Sequence, residues 1–417
     1  MSFDLPPLPD GWAFTPLESC AVPGSISYGV VQPGSPVVQG VPIIRVNNFR
    51  DMRLDLSDVM RIAPEVEAKY GRTRLSGGEV LLTLVGSVGQ VAEVPKACAG
   101  FNVARAVGVV RPANGIDAKW IAICLRSPLS QHLLGSRANT TVQTTINLKD
   151  VRALPIPIPR PAERLQIADF ISALDDRIAL LRETNATLEA IAQALFESWF
   201  VDFDPVRAKS QGLAPAGMDD ATAAMFPDSF AESAMGLVPK GWPIQTLEDL
   251  LVLQRGFDLP AQSRTPGCFP IIAASGPSGT HVMAMAKGPG VVTGRSGVLG
   301  RVFLELGDYW PLNTTLWVKE FRAATPCFAY ELLRLLDFKA FNAGSAVPTL
   351  NRNHIHGLPY VAPARACVEA YERIAMNMHE RARVNERQAQ TLASLRDALL
   401  PRLISGQLRL AEVEAIA

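Results

Sequence analysis

Two pairs of side chains in this sequence are of the types that bind metals or move protons. His354 and His356 are spaced so that a strand would place both imidazoles on one face, but no Asp, Glu or Cys ligand accompanies them. Asp175 and Asp176 are adjacent carboxylates inside a helical pattern, where a solvated helix face accounts for them. Neither pair predicts a metal site or a catalytic centre.

Glycines at 294, 297 and 300 have a spacing that suggests a phosphate-binding loop. No Lys-Ser/Thr pair and no helical pattern follows them, so the parts that hold a nucleotide are missing. The apolar runs on both sides indicate instead a β-hairpin with a glycine-rich turn. No nucleotide site is predicted.

The elements that position these residues belong to several folded domains. A chain of 417 residues is too long for one ordinary domain, and 48% hydrophobic with 19% charged residues indicates packed cores. Six cysteines occur without a C-x-x-C pair, and neither a secretory signal nor an apolar run of the ~20 residues that span a membrane is visible. We expect a soluble, cytoplasmic protein with reduced thiols.

Charge is unevenly distributed, although 40 basic residues balance 40 acidic ones. Residues 161–230 hold 5 Lys and Arg against 12 Asp and Glu, whereas residues 1–160 hold 16 against 12. The mildly basic blocks outside the acidic stretch give weak support for a nucleic-acid partner.

The chain contains one internal duplication. Pro9-Asp-Gly-Trp12 reappears as Pro239-Lys-Gly-Trp242, and Thr145-Ile-Asn147 as Thr349-Leu-Asn351. In each half a Leu-Pro dipeptide then precedes a long helical pattern. The order of landmarks predicts domain, helix, domain, helix, with strands, turns and short helices in each domain.

Both helical patterns carry apolar residues every seven positions, which is typical of a coiled coil. The predicted pairing residues are Ile171, Leu174, Ile178, Leu181, Asn185, Leu188 and Leu195 in the first helix and Tyr371, Met378, Asn385, Leu392 and Leu399 in the second. Two stripes at equivalent places favour pairing of the helices with each other over packing of each on its own domain. Antiparallel helices of about 40 residues would each extend ~60 Å at 1.5 Å per residue. They would set the distance between two domains related by a pseudo-two-fold axis.

Several segments resemble the specificity subunits of type I restriction–modification systems. Leu154–Ala168 with Leu174–Ile178 is similar to their central conserved region, and Leu395–Gly406 is similar to their distal conserved region. Phe269–Gly276 with Gly294–Gly300 is similar to one recognition domain, and Pro42–Asn48 is similar to its counterpart in the first domain. The likeness covers nearly the whole chain. It departs from the family pattern at Arg164, where a glutamine is expected.

The resemblance implies an α+β fold with two target recognition domains, one in 1–158 and one in 205–360, a range that also includes a linker. Two long helices, 159–204 and 361–417, would pack as an antiparallel coiled coil. The chain would be the non-catalytic specificity subunit: each domain reads one half of a bipartite double-stranded DNA target, and the helices dock two methyltransferase subunits. It would hold no cofactor and no metal itself, since S-adenosylmethionine binds the methyltransferase subunits and ATP with Mg binds the restriction subunits. No membrane partner is expected.

Direct reading of base edges most often uses Arg for guanine and Asn or Gln for adenine. The candidate DNA-contacting residues are Arg45, Asn47, Asn48, Arg50, Arg72, Arg74, Arg137 and Asn139 in the first domain and Arg255, Arg295, Ser296, Arg301 and Asn313 in the second. Each has an alternative role as a solvated loop charge or a turn-capping amide. Arg295 is the first choice, because its turn most resembles the family, whereas Trp12 and Trp242 are interpreted as core anchors.

Two other classes of protein are alternatives to this interpretation. A methyltransferase fused to its own recognition domain would carry an Asn/Asp-Pro-Pro-Tyr/Phe loop, and this chain has adjacent prolines only at Pro6-Pro7. A duplicated, helix-linked protein-interaction scaffold that does not read DNA stays open as the alternative.

Overall fold

The computed structural model describes residues 5–140, 144–341 and 348–414. The chain forms two compact units: a first unit of Met1–Leu180 with Gln388–Ala417, and a second unit of Leu181–Arg387. This division runs through both long helices, so each unit holds part of each. The predicted boundaries at 158, 204 and 360 separate the helices from the domains and stay a prediction.

The first half of the chain is rich in short strands. Its strands are β1 Ala13–Pro16, β2 Ser27–Tyr28, β3 Val41–Ile44, β4 Phe49–Arg50, β5 Arg53–Leu54, β6 Met60–Ile62, β7 Val80–Thr83, β8 Val91–Glu93, β9 Asn102–Val103, β10 Val107–Val110, β11 Asn139–Thr140, β12 Thr144–Thr145 and β13 Pro155–Ile158. Its helices are α1 Pro64–Glu67, α2 Ala118–Arg126, α3 Pro128–Arg137, α4 Leu148–Arg152 and the long α5 Pro161–Phe200.

The second half has the same make-up. Its strands are β14 Phe230–Ser233, β15 Gly236–Pro239, β16 Ile244–Thr246, β17 Leu251–Arg255, β18 Phe269–Ala273, β19 Gly276–His281, β20 Gly290–Gly294, β21 Val302–Glu305, β22 Trp310–Pro311, β23 Thr315–Phe321 and β24 Pro359–Val361. Its helices are α6 Asp204–Ser210, α7 Asp220–Ala224, α8 Leu247–Leu250, α9 Pro326–Arg334, α10 Arg352–His356, the long α11 Arg365–Ile404 and α12 Leu410–Glu414.

The predicted duplication extends to the topology of the sheets. The first unit has a four-stranded sheet of order β2-β10-β7-β8, and the second has β17-β23-β20-β21. Each unit also has a three-stranded sheet, β6-β3-β9 in the first and β19-β18-β22 in the second. The pairs β3–β9 and β18–β22 are parallel. Each unit also has a two-stranded sheet, β1-β13 in the first and β16-β24 in the second, which completes the match. The antiparallel β20 and β21 flank the glycine-rich turn, which confirms the predicted hairpin.

The core of the first unit lies between its four-stranded sheet, α2 and the long helices. Trp120 of α2 is fully buried, and its Nε1 donates to the carbonyl of Pro157 over 2.9 Å. Ile171 of α5 and Leu403 of α11 belong to the same core. Burial of each such aliphatic side chain stabilises the unit by ~1.5–3 kcal/mol.

An aromatic cluster occupies the core of the second unit. Phe196 and Phe200 of α5 pack against Phe328 of α9 and Tyr371 of α11, with ring centroids 5.1 Å apart for Phe196–Phe328 and 5.6 Å for Phe200–Tyr371. Trp242 joins this cluster and is buried, as Trp12 is in the first unit. Both tryptophans are therefore core anchors, as predicted.

The two long helices pack against each other in an antiparallel manner within each unit. In the second unit the Asn385 amide donates to Asn185 Oδ1 over 2.9 Å, and the Tyr371 hydroxyl donates to the carbonyl of Ala192 over 3.2 Å. From Asn185 to Ala192 the residue number rises along α5, while the residue contacted on α11 changes from Asn385 to Tyr371, a lower number. The two helices therefore run in opposite directions, which confirms the predicted antiparallel pair. Pro401 lies inside α11, which continues to Ile404.

The predicted pairing residues differ in burial along the helices. Ile171, Ile178, Leu181, Tyr371 and Asn385 are buried, whereas Leu174, Asn185, Leu188, Leu195, Met378, Leu392 and Leu399 are half-buried. Arg164, the departure from the family pattern, is buried in the first unit and donates to the carbonyl of Gly115.

Candidate nucleic-acid interface

Two of the predicted residues of the second unit contact one carboxylate, and a third supports the backbone beside it. Asp258 accepts hydrogen bonds from Arg255 Nη2, at 3.1 Å, and from the side-chain amide of Asn313. Arg295 Nη1 donates to the backbone carbonyl of Asn313 over 3.0 Å, so its guanidinium supports the turn that carries this amide. The structure therefore joins Arg255, Arg295 and Asn313 in one cluster, which we call the Asp258 cluster.

Glycines bring the backbones of the Asp258 cluster together. Gly256 follows β17, and a Cβ there would lie 2.2 Å from the carbonyl oxygen of Leu312. Gly294 ends β20, and a Cβ there would lie 1.9 Å from the carbonyl oxygen of Val298. Any larger residue would push these segments apart, so the close approach requires glycine at both positions.

Ser296 and Arg301 lie on the two sides of the hairpin turn between β20 and β21. The backbone N–H of Ser296 donates to the carbonyl of Thr314 over 3.0 Å, which fastens the start of the turn. Arg301 Nη1 donates to the carbonyl of Ser275 over 2.7 Å. Both residues are near the Asp258 cluster in the fold, but the hydrogen bonds of the described residues do not include them in it.

In the first unit, Asn48 holds a loop together instead of presenting its amide to solvent. It is buried, its Nδ2 donates to the carbonyls of Asp55 and Asp58 over 3.0 and 2.9 Å, and its Oδ1 accepts from the N–H of Arg45 over 2.9 Å. A contact with a base would break these bonds. The position of Asn48 therefore favours the alternative role of a turn-capping amide over contact with a base.

The neighbours of Asn48 remain accessible. Asn47 is exposed on the same turn, and Arg50 pairs with Asp55 at 3.2 Å while its side chain stays 75% exposed. Arg45 lies 3.9 Å from Asp58. These are solvated ion pairs, which contribute little to stability and leave the cations available to a phosphate.

The other first-unit predictions lie on separate elements. Arg72 is exposed, and Arg74 donates through Nε to Glu67 Oε1 over 2.9 Å. The Arg74 guanidinium beside Glu67 holds the pKa of that carboxyl below its usual value. Arg137 is half-buried, 3.9 Å from Asp150, and Asn139 lies in β11 with its side chain outside the described residues.

The histidines at 354 and 356 and the cysteine thiols lie in environments that the structure describes. His354 and His356 lie in the helix α10 and not on a strand, and His356 Nε2 accepts from the N–H of Leu253 over 3.0 Å. No group of three or more His, Cys, Asp or Glu side chains among these residues could hold a metal ion. Burial raises the pKa of Cys20 to about 11, so this thiol is unreactive at neutral pH.

Asp258 is the residue of this site that the sequence interpretation missed. The only sequence signal for Asp258 is the spacing Arg255-x-x-Asp258, which predicts a local ion pair and carries no information about Asn313.

None of the helices described in residues 5–140, 144–341 and 348–414 is long and apolar enough to cross a membrane.

Comparison with known proteins gives consistent likenesses. Residues 37–190 match the model of the family described as "Type I restriction modification DNA specificity domain". Over 198 residues the chain is 30% identical to the type I restriction enzyme EcoBI specificity subunit of Escherichia coli; the match covers 45% of this chain and 42% of that protein. It is 25% identical over 339 residues to the HindI specificity subunit of Haemophilus influenzae, covering 66% of this chain and 72% of the relative.

A solved structure shares the fold. The crystal structure of the type I restriction–modification system S subunit from M. genitalium superposes with a TM-score of 0.58 at 14% identity. The superposition covers 94% of this chain and 96% of that one. The fold is thus shared along nearly the whole length of both chains.

Proposed function

Because this chain belongs to the family of type I restriction–modification specificity subunits, we propose that it gives such a system its DNA sequence specificity. Each unit reads one half of a two-part target in double-stranded DNA. The chain itself performs no catalysis.

The observation that carries this proposal is the repetition of one sheet framework with different polar side chains on it. The four-stranded and three-stranded sheets have the same order in both units. In the second unit the framework presents Arg255 and Asn313, which are residue types that read guanine and adenine. Two copies of a framework with unlike surfaces suit a reader of two unlike half-sites.

The proposed protein partners are two methyltransferase subunits and, for cleavage, restriction subunits. Large apolar side chains on the long helices support docking of the methyltransferase subunits there. In the first unit Leu180 and Leu395 are 52% and 45% exposed, and in the second Ile191 and Val384 are 45% and 51% exposed. S-adenosylmethionine would bind the methyltransferase subunits, and ATP with Mg the restriction subunits.

A methylation map of DNA tests the proposal. The full chain is co-expressed with the proposed methyltransferase partner, and cells with the methyltransferase subunit alone serve as control. We expect adenine methylation at a two-part motif with a fixed gap only when this chain is present. Replacing residues 1–158 by the corresponding part of another specificity subunit should change one half of the motif and leave the other unchanged.

The competing function is a protein-interaction scaffold that does not read DNA. In that case the complex with the methyltransferase subunit would form, but no new methylated motif would appear. Complex formation without a motif would therefore refute the proposed function.

A further inference from the structure

The same close approach of two backbones occurs in both units. In the second unit it lies where Gly256 follows β17, and a Cβ there would lie 2.5 Å from the carbonyl oxygen of Pro311. In the first unit Gly29 follows β2, and a Cβ there would lie 1.9 Å from the carbonyl oxygen of Val103. Each glycine therefore admits the neighbouring segment at the same point of the duplicated framework.

Isolated bridges fix which residues correspond. The residue after each glycine forms a parallel bridge: Phe257 with Leu312, and Val30 with Ala104. Counting from these bridges makes Arg255, Asp258 and Asn313 of the second unit equivalent to Tyr28, Val31 and Arg105 of the first. We call these two sets of residues the second trio and the first trio.

The two trios differ in chemistry although their backbones match. Arg255 and Asp258 have side chains 52% and 63% exposed, and they form an ion pair. Tyr28 and Val31 are 48% and 39% exposed and offer an aromatic and an aliphatic surface beside the exposed Arg105. A buried framework with unlike exposed side chains is the arrangement by which one scaffold recognises different partners.

The contact with Asp258 fixes the orientation of the Asn313 amide. A carboxylate only accepts hydrogen bonds, so the amide must turn its nitrogen toward Asp258. One N–H is used in this way, and the second N–H and the Oδ1 form a donor–acceptor pair for another partner. Adenine presents the complementary pair, N7 and the N6 amino group, in the major groove.

We propose that the two trios are specificity-determining positions of the two units, that Asn313 reads an adenine, and that Asp258 positions its amide. This inference rests on the proposed function and assigns it to particular residues. Arg255, held by the same carboxylate, would contact the adjoining base pair or its phosphate.

The experiment uses the full chain, co-expressed with its methyltransferase subunit, and reads the methylated motif of each variant. Asn313→Ala should reduce discrimination at one A·T base pair of one half-site by about 5- to 140-fold, the range for one bidentate base contact. Asp258→Ala should relax the same base pair by a smaller factor. Arg105→Ala should alter only the other half-site, and Asn353→Ala, an exposed amide in α10 of the second unit, should leave the wild-type motif.

The outcomes separate this inference from the proposed function. If wild-type protein yields a two-part motif and Asn313→Ala and Arg105→Ala leave it unchanged, or alter the same half, the inference is wrong and the proposed function stands. If wild-type protein yields no motif, the proposed function itself fails. Thermal unfolding checks that each variant folds, and Asn313→Ser replaces Asn313→Ala if the latter is unstable.

Discussion

Asp175 connects three elements of the first unit. It accepts from Arg126 of α2 and from Arg396 of α11, each over 2.8 Å, while it lies on α5. The three side chains are only 16%, 14% and 13% exposed, in the order Asp175, Arg126, Arg396. Removing the carboxylate leaves two largely desolvated guanidinium groups without their common acceptor.

We expect Asp175→Asn to lower the free energy of unfolding of the first unit by about 3 kcal/mol. Breaking a buried ion pair by removing one partner costs about 3–5 kcal/mol, and residual exposure places this site at the lower end. For a unit of this size 1 kcal/mol shifts the Tm by about 2–4 °C, so the expected shift is about 6–12 °C.

The adjacent carboxylate is the matched control. Asp176 pairs with Arg53 at 2.7 Å, but the two side chains are 74% and 49% exposed, so Asp176→Asn should cost no more than about 1 kcal/mol. Thermal unfolding with hydrogen exchange of peptides from residues 161–180 and 388–404 assigns the change to the first unit. Equal shifts for Asp175→Asn and Asp176→Asn would refute the argument from burial.

Two further perturbations test the second unit. Replacing Asn185 and Asn385 together by Leu should raise the urea midpoint of unfolding, because a polar core pair fixes the register of the helices at the expense of stability. For Asn385→Leu alone, the gain in the free energy of unfolding should be about 1–3 kcal/mol smaller, since Asn185 Oδ1 loses its donor. An equal gain for both variants would show that the pair is not coupled. Burial raises the pKa of Glu331 from 4.5 to about 7, against the opposing effect of Arg334, so the folded state binds this proton more tightly than the unfolded state. The contribution of the protonated carboxyl to stability is therefore lost as the pH rises from about 4.5 through 7. The Tm of Glu331→Gln relative to that of the wild type should therefore rise from pH 5 to pH 8. A constant difference in Tm would contradict the raised pKa of Glu331.

The parts of the fold that follow from local patterns could be predicted from the sequence. Heptad spacing identifies both long helices, because the apolar stripe is a property of the helix itself. Repeated landmarks such as Trp12 and Trp242 identify the duplication, since each marks the start of an equivalent sheet. The hairpin around Gly297 follows from apolar runs on both sides of a glycine-rich turn.

The arrangement of the candidate site could not be predicted in the same way. Asn313 meets Asp258 only because two distant strands pair in one register, and no local pattern records that pairing. Asn48 was expected to face DNA because its residue type suits adenine, yet the same amide suits a loop that needs two donors and one acceptor. Residue type alone does not distinguish these uses, because both depend on which backbone groups the fold places nearby.

The polar contacts between the long helices are not repeated by the duplication. Both helices have 40 residues, and a shift of 204 positions carries Pro161–Phe200 onto Arg365–Ile404. Under this shift Arg396, the partner of Asp175, corresponds to Ala192 of α5, and Asn385 corresponds to Leu181. The two helices are thus alike in length and apolar stripe but unlike in where their polar groups lie.

This asymmetry restricts which helices can associate when many copies of the chain are present. An α5 helix paired with α5 of a second copy would place an alanine where Arg396 stands, so Asp175 would lose one of its two guanidinium partners and keep only Arg126. It would also place Asn185 against a leucine, where its amide finds no side-chain partner. The asymmetry therefore disfavours the pairing of two α5 helices and favours the pairing of α5 with α11.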